Sequence, residues 1–413
     1  MSYIVLWVIE GAFRKWVPAS DTLFYVLRDG GVFIAVAAFI IVNAHRRTSR
    51  VWSLAWAFLL LLIVLAAVSV ITDRQTLTSS FLGIRAYIGP AMFIAFSASF
   101  VPQSAISRAA QWISLLMVLN ALLTLAQVIS PATAIINVEV GGESASFVNA
   151  GNVVRASGMF SSPAGLTAFS VLATAISLGA IADRQSRLSI HYATLVSVAI
   201  VVTLGGARGA LLGVAIVLLA YVFMMYSGAG ASALPKILAI GVTAGAVYVG
   251  AYLFYPSVLD SFSTRFEQAA ASEDTLGRLI HSTFGFFVEP FPLLGSGPGA
   301  HSSGGAQLSG NAWVEIESMR WVAELGLFGY ALASIRLIVA GCLIWFLLSK
   351  AALYPAIARL SMAALVPVLL FGSITQQPST QGFFAICSSM ILMWPEFSEL
   401  DRSPRFQRSR TNA

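Results

Sequence analysis

The chain has 413 residues, of which 58% are hydrophobic and only 10% are charged, and its mean hydropathy is +0.83. This composition excludes an ordinary soluble domain and predicts a polytopic membrane protein. Loop topology explains the net charge of +6 better than nucleic-acid binding does, so we expect no nucleic-acid partner.

Apolar runs recur along almost the whole chain, and a helix needs about 20 apolar residues to cross a bilayer. Hydropathy predicts spans near residues 32–42, 52–71, 81–100, 112–129, 164–182, 189–204, 210–226, 237–255, 321–348, 356–373 and 383–394, and a further one near the N-terminus. The predicted fold is an all-α integral membrane bundle of about 11–12 transmembrane helices. Residues 1–400 form its single polytopic domain, and a basic tail, 401–413, follows on the cytoplasmic side.

Basic residues indicate which loops face the cytoplasm. Loops 45–50 and 183–187 and the basic tail fall on one side if the spans alternate, which makes that side cytoplasmic. Loops 131–163 and 256–320 are then periplasmic, and the second is large and late in the chain. Arginine on the outer side runs against the rule, so each outer arginine has a better-than-usual chance of a specific partner: Arg155, Arg208, Arg265, Arg278 and Arg320.

Two of these arginines stand in sequence contexts that suit an anionic ligand. Arg208 lies in the turn Gly-Gly-Ala-Arg-Gly-Ala at 205–210, where a planar guanidinium could bind a phosphate with two hydrogen bonds. The alternative is a side chain that snorkels to lipid headgroups. Arg278 lies on a predicted loop helix, and an anionic ligand shared with Arg265 and Arg320 is the favoured interpretation. The glycine-rich segment 294–299 is either a rigid turn, which is favoured, or an anion-binding nest of backbone N–H groups.

Carboxylates cluster where the chain re-enters the membrane. If a helix begins by Glu317, then Glu317, Arg320 and Glu324 share one face of it. The group is either an ion-paired helix start or a site that holds a base for a sugar hydroxyl. As a base, Glu317 is the first candidate and Glu315 the second, with His301 as the histidine that could reach in from the loop.

Neither metal nor cofactor is expected. The four histidines have no metal-ligand spacing, and no carboxylate–histidine cluster with a credible ligand count occurs in the outer segments. Both cysteines, Cys342 and Cys387, lie in apolar runs, which argues against a disulfide framework and a zinc site. Glu10 and Arg14, if the N-terminus inserts, fit an i,i+4 ion pair.

The order of the motifs between 205 and 329 resembles the O-antigen ligase and polymerase superfamily. A Gly-Ala-Arg-Gly turn is followed by Gly-Arg-Leu, by Pro-Leu-Leu-Gly-Ser-Gly-Pro-Gly and by Glu-Leu-Gly-Leu-Phe-Gly, and the segment 155–160 resembles an earlier outer-loop motif of that family. By resemblance, Arg208 and Arg278 match the arginines assigned to the pyrophosphate of an undecaprenyl-linked glycan. Ligases of the family carry a His-Asn pair before the Glu-Leu-Gly helix, whereas this region holds Asn311, Glu315 and Glu317 without a histidine.

The resemblance implies a GT-C-like membrane enzyme of the bacterial inner membrane whose active face is periplasmic. Its donor would be an undecaprenyl-pyrophosphate-linked glycan and its acceptor a glycan hydroxyl, with inversion at the transferred sugar. Membrane lipids and a chain-length regulator or other polysaccharide-assembly proteins are the expected partners. A polymerase of O-antigen or exopolysaccharide is favoured over a ligase that uses lipid A-core, and the alternative from another class is a polysaccharide or lipid transporter.

Overall fold

A computed structural model describes residues 1–17, 30–31, 50–140, 154–185, 187–229, 234–256, 260, 263–264, 274–288, 290, 292–349 and 354–394. Among these described residues, the helices as far as Phe254 are α1 Ser2–Trp16, α2 Arg50–Ile71, α3 Leu77–Phe100, α4 Ser104–Ile129, α5 Pro163–Ala182, α6 Leu188–Gly205, α7 Arg208–Ala229 and α8 Leu234–Phe254. The later helices are α9 Thr275–Phe284, α10 Ser303–Ser309, α11 Glu317–Leu325, α12 Leu327–Ser349, α13 Ala356–Phe371 and α14 Pro378–Leu392. Short 3-10 helices occur at Ile135–Asn137 and Gly285–Phe287.

Within the described residues, seven helices are long and apolar enough to cross a membrane: α2 to α7 and α12. Shorter apolar helices cover Ala244–Phe254 and Ala356–Phe371. These helices coincide with predicted spans and confirm the helical, multi-pass class. The predicted span at 32–42 and the tail 401–413 lie outside the described residues, so the full number of spans stays a prediction.

The predicted span at 321–348 is wrong in one respect, because the chain breaks at Gly326. Helix α11 ends at Leu325, and Gly326 has φ +60° and ψ −128°. A residue with a Cβ would be strained in this conformation, whereas glycine adopts it readily. The Leu327 amide then donates to the Leu293 carbonyl, 3.3 Å away, as α12 begins. The break leaves α11 as a separate buried helix beside the glycine-rich loop, where it carries the charged residues of the region.

Helix α5 is the centre of the bundle. It begins with Pro163 at its first turn, where a missing N–H costs nothing, and most of its residues are buried. It contacts α4, α6, α7, α13 and α14. The approach to α13 is close, since a Cβ on Gly179 would lie 2.5 Å from the Ile357 Cα. A buried central helix needs small residues for such contacts, and it fixes the helices around it.

The helix ends form two faces. We call the first of these the loop face. It is formed at the ends of the long helices by the turn after α2, the turn before α14 and the segments 154–162, 274–288 and 292–326. Arg74 donates to the Leu294 carbonyl at 3.2 Å, and Gln376 donates to the Val314 carbonyl at 2.8 Å. On the opposite face, the Asp183 carboxylate accepts from the Ala356 amide at 2.8 Å.

We expect the loop face to be periplasmic, because the predicted basic loops alternate to the other side. Ser303 and Gln307 are exposed on α10, and a cysteine at either position should react with an impermeant thiol reagent in intact spheroplasts. The exposed native Cys342 is first replaced by alanine. Ser189→Cys, exposed on the opposite face, is the matched control and should react only after lysis. The reverse pattern would overturn the topology.

Candidate active site

The glycine-rich loop folds around the carboxylate of Glu324. The Gly299 amide donates to Glu324 Oε2 at 2.8 Å, the His301 amide donates to Oε1 at 3.0 Å, and the Tyr87 hydroxyl donates to Oε2 at 2.7 Å. The amide of Gly297 donates to the Glu324 backbone carbonyl, also at 2.8 Å. The loop is thus a nest of the kind considered from the sequence, but the anion it binds is a carboxylate of the protein itself.

Glu317 is buried and holds two segments together. Its Oε1 accepts from the Thr375 hydroxyl at 2.7 Å, and the backbone amides of Ile374 and Thr375 also donate to the carboxylate. Its side chain is only 1% exposed. A base must present a lone pair to its substrate, and both oxygens of Glu317 already accept hydrogen bonds inside the protein. The geometry therefore favours the ion-paired interpretation of this residue.

Two arginines complete a buried ion network, which consists of Glu317, Arg320, Glu324 and Arg336. Arg320 lies 3.3 Å from Glu317 and 3.6 Å from Glu324, and Arg336 lies 3.3 Å from Glu317. Arg336 also donates to backbone carbonyls near the end of α13, including Val368 at 2.9 Å. The structure does not favour the predicted donor-binding role of Arg320, because its guanidinium is buried and is not accessible to a ligand.

His301 is held by a hydrogen bond at each ring nitrogen. Its Nδ1 lies 2.7 Å from the Ala312 carbonyl oxygen, and its Nε2 lies 3.1 Å from the Ser296 hydroxyl. Both His301 and Ser296 line a cavity of about 440 Å³, whose other walls include Pro290, Pro292 and Met319. His301 thus lines an accessible cavity, whereas Glu317, the candidate base in the buried ion network, does not.

Arg278 and Glu315 come together at the surface of the loop face. Their side chains are 3.3 Å apart and are 62% and 65% exposed. Asp274 caps α9 by accepting from the Gly277 amide at 2.8 Å, which fixes the turn that carries Arg278. The structure therefore pairs Arg278 with Glu315, the second candidate base, a contact that the sequence analysis did not predict; 37 residues separate the two.

Arg155 and Arg208 lie near each other at the ends of the long helices. Arg155 is half-buried, and its pKa is lowered by burial and by the positive charge of Arg208. Arg208 begins α7 and is exposed, one residue after the turn in which Gly206 takes a left-handed conformation. The two arginines therefore lie close enough on the loop face for their positive charges to interact. Arg265, which the sequence also marked, lies outside the described residues.

The sequence did not indicate that the N-terminal helix supports this region. Lys15, near the end of α1, is buried and donates to the Ser157 hydroxyl at 3.0 Å and to the Gly158 carbonyl at 2.6 Å. These contacts hold the segment that begins with Arg155. The predicted pair of Glu10 and Arg14 is confirmed, at 3.2 Å. The one sequence signal for this role of Lys15 is its position beside Arg14 in the last turn of α1.

Within the part of the chain that the structure describes, no group of three or more histidine, cysteine, aspartate or glutamate residues could hold a metal ion. In comparisons with known proteins, the chain matches no family model and no curated protein.

Proposed function

We propose that this membrane protein transfers a glycan from a polyprenyl pyrophosphate, the undecaprenyl form in bacteria, to the hydroxyl of an acceptor glycan. The observation that carries the proposal is that Arg155 and Arg208, two positive charges close enough to interact, lie on the loop face near the ends of apolar, membrane-length helices. A lipid-linked pyrophosphate has its apolar tail in the bilayer and its negative charge at the interface. Arginines at helix ends can bind the phosphate oxygens through bidentate hydrogen bonds.

The reaction needs a cation for the leaving group and a base for the acceptor. The bond between the anomeric carbon and the pyrophosphate oxygen breaks with its electron pair on that oxygen, where Arg208, Arg155 and Arg278 offset the negative charge. The acceptor oxygen bonds to the opposite side of the anomeric carbon, which inverts it. The acceptor proton moves to the base, for which we propose His301 Nε2.

We rank the three candidate bases by their surroundings. His301 comes first, because its ring lines a cavity that a sugar can enter. Glu315 is second, because it is exposed but bonded to Arg278. Glu317 is last, because its carboxylate is enclosed in the buried ion network. This order reverses the one that the sequence alone suggested.

A polymerase of O-antigen or exopolysaccharide remains the favoured form of the activity, in the bacterial inner membrane with the loop face periplasmic. A ligase acting on lipid A-core is the alternative, and the nature of the acceptor distinguishes the two. A polysaccharide or lipid transporter is the alternative from another class. It would move the lipid-linked glycan without lengthening it, so the product of the purified protein decides between an enzyme and a transporter.

We expect Arg208→Ala and Arg278→Ala each to lower transfer by about 10²–10³-fold, the usual loss when one charge-stabilising donor is removed. Arg→Lys should recover little, since an ammonium cannot reproduce the planar fork. Transfer is measured in proteoliposomes with lipid-linked glycan extracted from the host, as lengthening of the glycan on a gel.

The matched control is Arg108→Ala, which removes an exposed arginine from α4 at the opposite face and should leave transfer unchanged. Binding of undecaprenyl pyrophosphate to the detergent-purified protein is measured alongside, with undecaprenol, which lacks phosphate, as the ligand control. Near-normal transfer and pyrophosphate binding by both alanine variants would remove the proposed role of the arginines.

A further inference from the structure

The hydrogen bonds of His301 define which of its nitrogens carries the proton. A backbone carbonyl can only accept, so the 2.7 Å contact with the Ala312 oxygen places the proton of the neutral ring on Nδ1. Nε2 then carries a lone pair, and the Ser296 hydroxyl, 3.1 Å away, donates to it. The nitrogen that could take a proton from a substrate is thus the one that faces Ser296.

The backbone on both sides of this pair is held firmly. The Ser296 amide donates to the Ala323 carbonyl at 2.9 Å, and the His301 amide donates to Glu324 Oε1 at 3.0 Å. Both anchors belong to α11, so one buried helix sets the position of serine and histidine together. Because these amides are already bonded, they cannot stabilise an oxyanion at Ser296, which argues against a serine nucleophile in acyl transfer.

The space beside the pair suits a sugar ring. The cavity of about 440 Å³ has Ser296 and His301 as polar groups, and Pro290, Pro292 and Met319 among its apolar walls. Apolar side chains pack against the C–H face of a pyranose, while a few polar groups fix its hydroxyls. A hydroxyl of such a ring can occupy the position from which the Ser296 hydroxyl donates to Nε2.

We propose that the cavity receives the acceptor sugar and that Ser296 is a positioning residue for His301. This inference rests on the proposed function. In the resting protein the Ser296 hydroxyl donates to Nε2 and keeps the ring in the orientation it needs. When the acceptor enters, its hydroxyl replaces that of Ser296 as the donor to Nε2, and its proton moves along this bond as the new glycosidic bond forms.

The first test does not depend on glycan transfer. Diethyl pyrocarbonate modifies the unprotonated nitrogen of histidine, and the rate at His301 can be followed by peptide mass spectrometry. Ser296→Ala removes the hydrogen bond that covers Nε2 and should raise this rate by about 3- to 10-fold, the range expected for one hydrogen bond. Ser296→Thr, which keeps a hydroxyl, should restore the lower rate. His281, exposed on α9, is the internal control and should react equally in all variants.

The second test is the transfer assay. Ser296→Ala should lower kcat/KM for the acceptor by about 3- to 10-fold, leave the binding of undecaprenyl pyrophosphate unchanged, and be rescued by Ser296→Thr. An unchanged modification rate at His301 in Ser296→Ala would overturn the pairing. Faster modification with unchanged acceptor kinetics would overturn the positioning role. If the wild-type protein transfers no glycan but the modification rates change as expected, the pairing stands and the proposed function fails.

Discussion

Replacing His301 by alanine is expected to lower glycan transfer by about 10²–10⁴-fold, the usual contribution of a positioned base. An acceptor hydroxyl is a poor nucleophile, and His301, which lines the 440 Å³ cavity, carries its lone pair on Nε2. His301→Asn is the more informative variant, because its amide can still donate to the Ala312 carbonyl but cannot take up a proton. Both variants are assayed in proteoliposomes with extracted lipid-linked glycan.

Three comparisons make this result decisive. His281→Ala, at an exposed histidine of the same loop face, should transfer normally. Binding of undecaprenyl pyrophosphate should be unchanged in His301→Asn, because the proposed donor site is formed by arginines. If His301→Asn works normally while Glu315→Gln has lost transfer, Glu315 is the base, and Arg278 at 3.3 Å would orient it.

Hydropathy was sufficient to predict most of the long helices, because a bilayer imposes length and composition on each span independently of its neighbours. The predicted span 164–182 corresponds to α5, Pro163–Ala182, for this reason. Hydropathy did not locate the break at Gly326, because the predicted span included Glu324 as a single charged residue between Trp321 and Gly326. That break depends on the backbone conformation of Gly326 and on the hydrogen bond from the Leu327 amide to Leu293, which lies 34 residues before Leu327.

The candidate site was less predictable, because its hydrogen bonds join residues far apart in sequence. The charge patterns led to Arg208, Arg278 and the carboxylates, since charged groups are rare in such a chain. Nothing in the local sequence around Glu317 shows that Thr375 and Arg336 enclose it. For that reason the sequence ranked a buried carboxylate as the first candidate base. The hydrogen bond between Ser296 and His301 was likewise not predicted, although the two residues are only five positions apart in the sequence.

Replacing Glu317 by alanine is expected to lower the free energy of unfolding by about 3–5 kcal/mol, the cost of leaving buried charge unpaired. Arg320 and Arg336, both buried, would lose a shared carboxylate, and the amides of Ile374 and Thr375 would lose their acceptor. Such a loss is large beside a total of about 5–15 kcal/mol for a typical protein. The quantity is measured by titrating the purified protein with SDS in mixed micelles.

Glu315→Ala is the matched control, because it removes a carboxylate two residues away whose pair with Arg278 is exposed. Surface ion pairs contribute about 0–1 kcal/mol, so this variant should unfold close to the wild type. A similar loss from both variants would mean that the buried ion network does not stabilise the fold. If Glu317→Ala were instead as stable as Glu315→Ala and had lost transfer with His301 intact, Glu317 would return as the base. The helix that carries it would then have to open toward the cavity during the reaction.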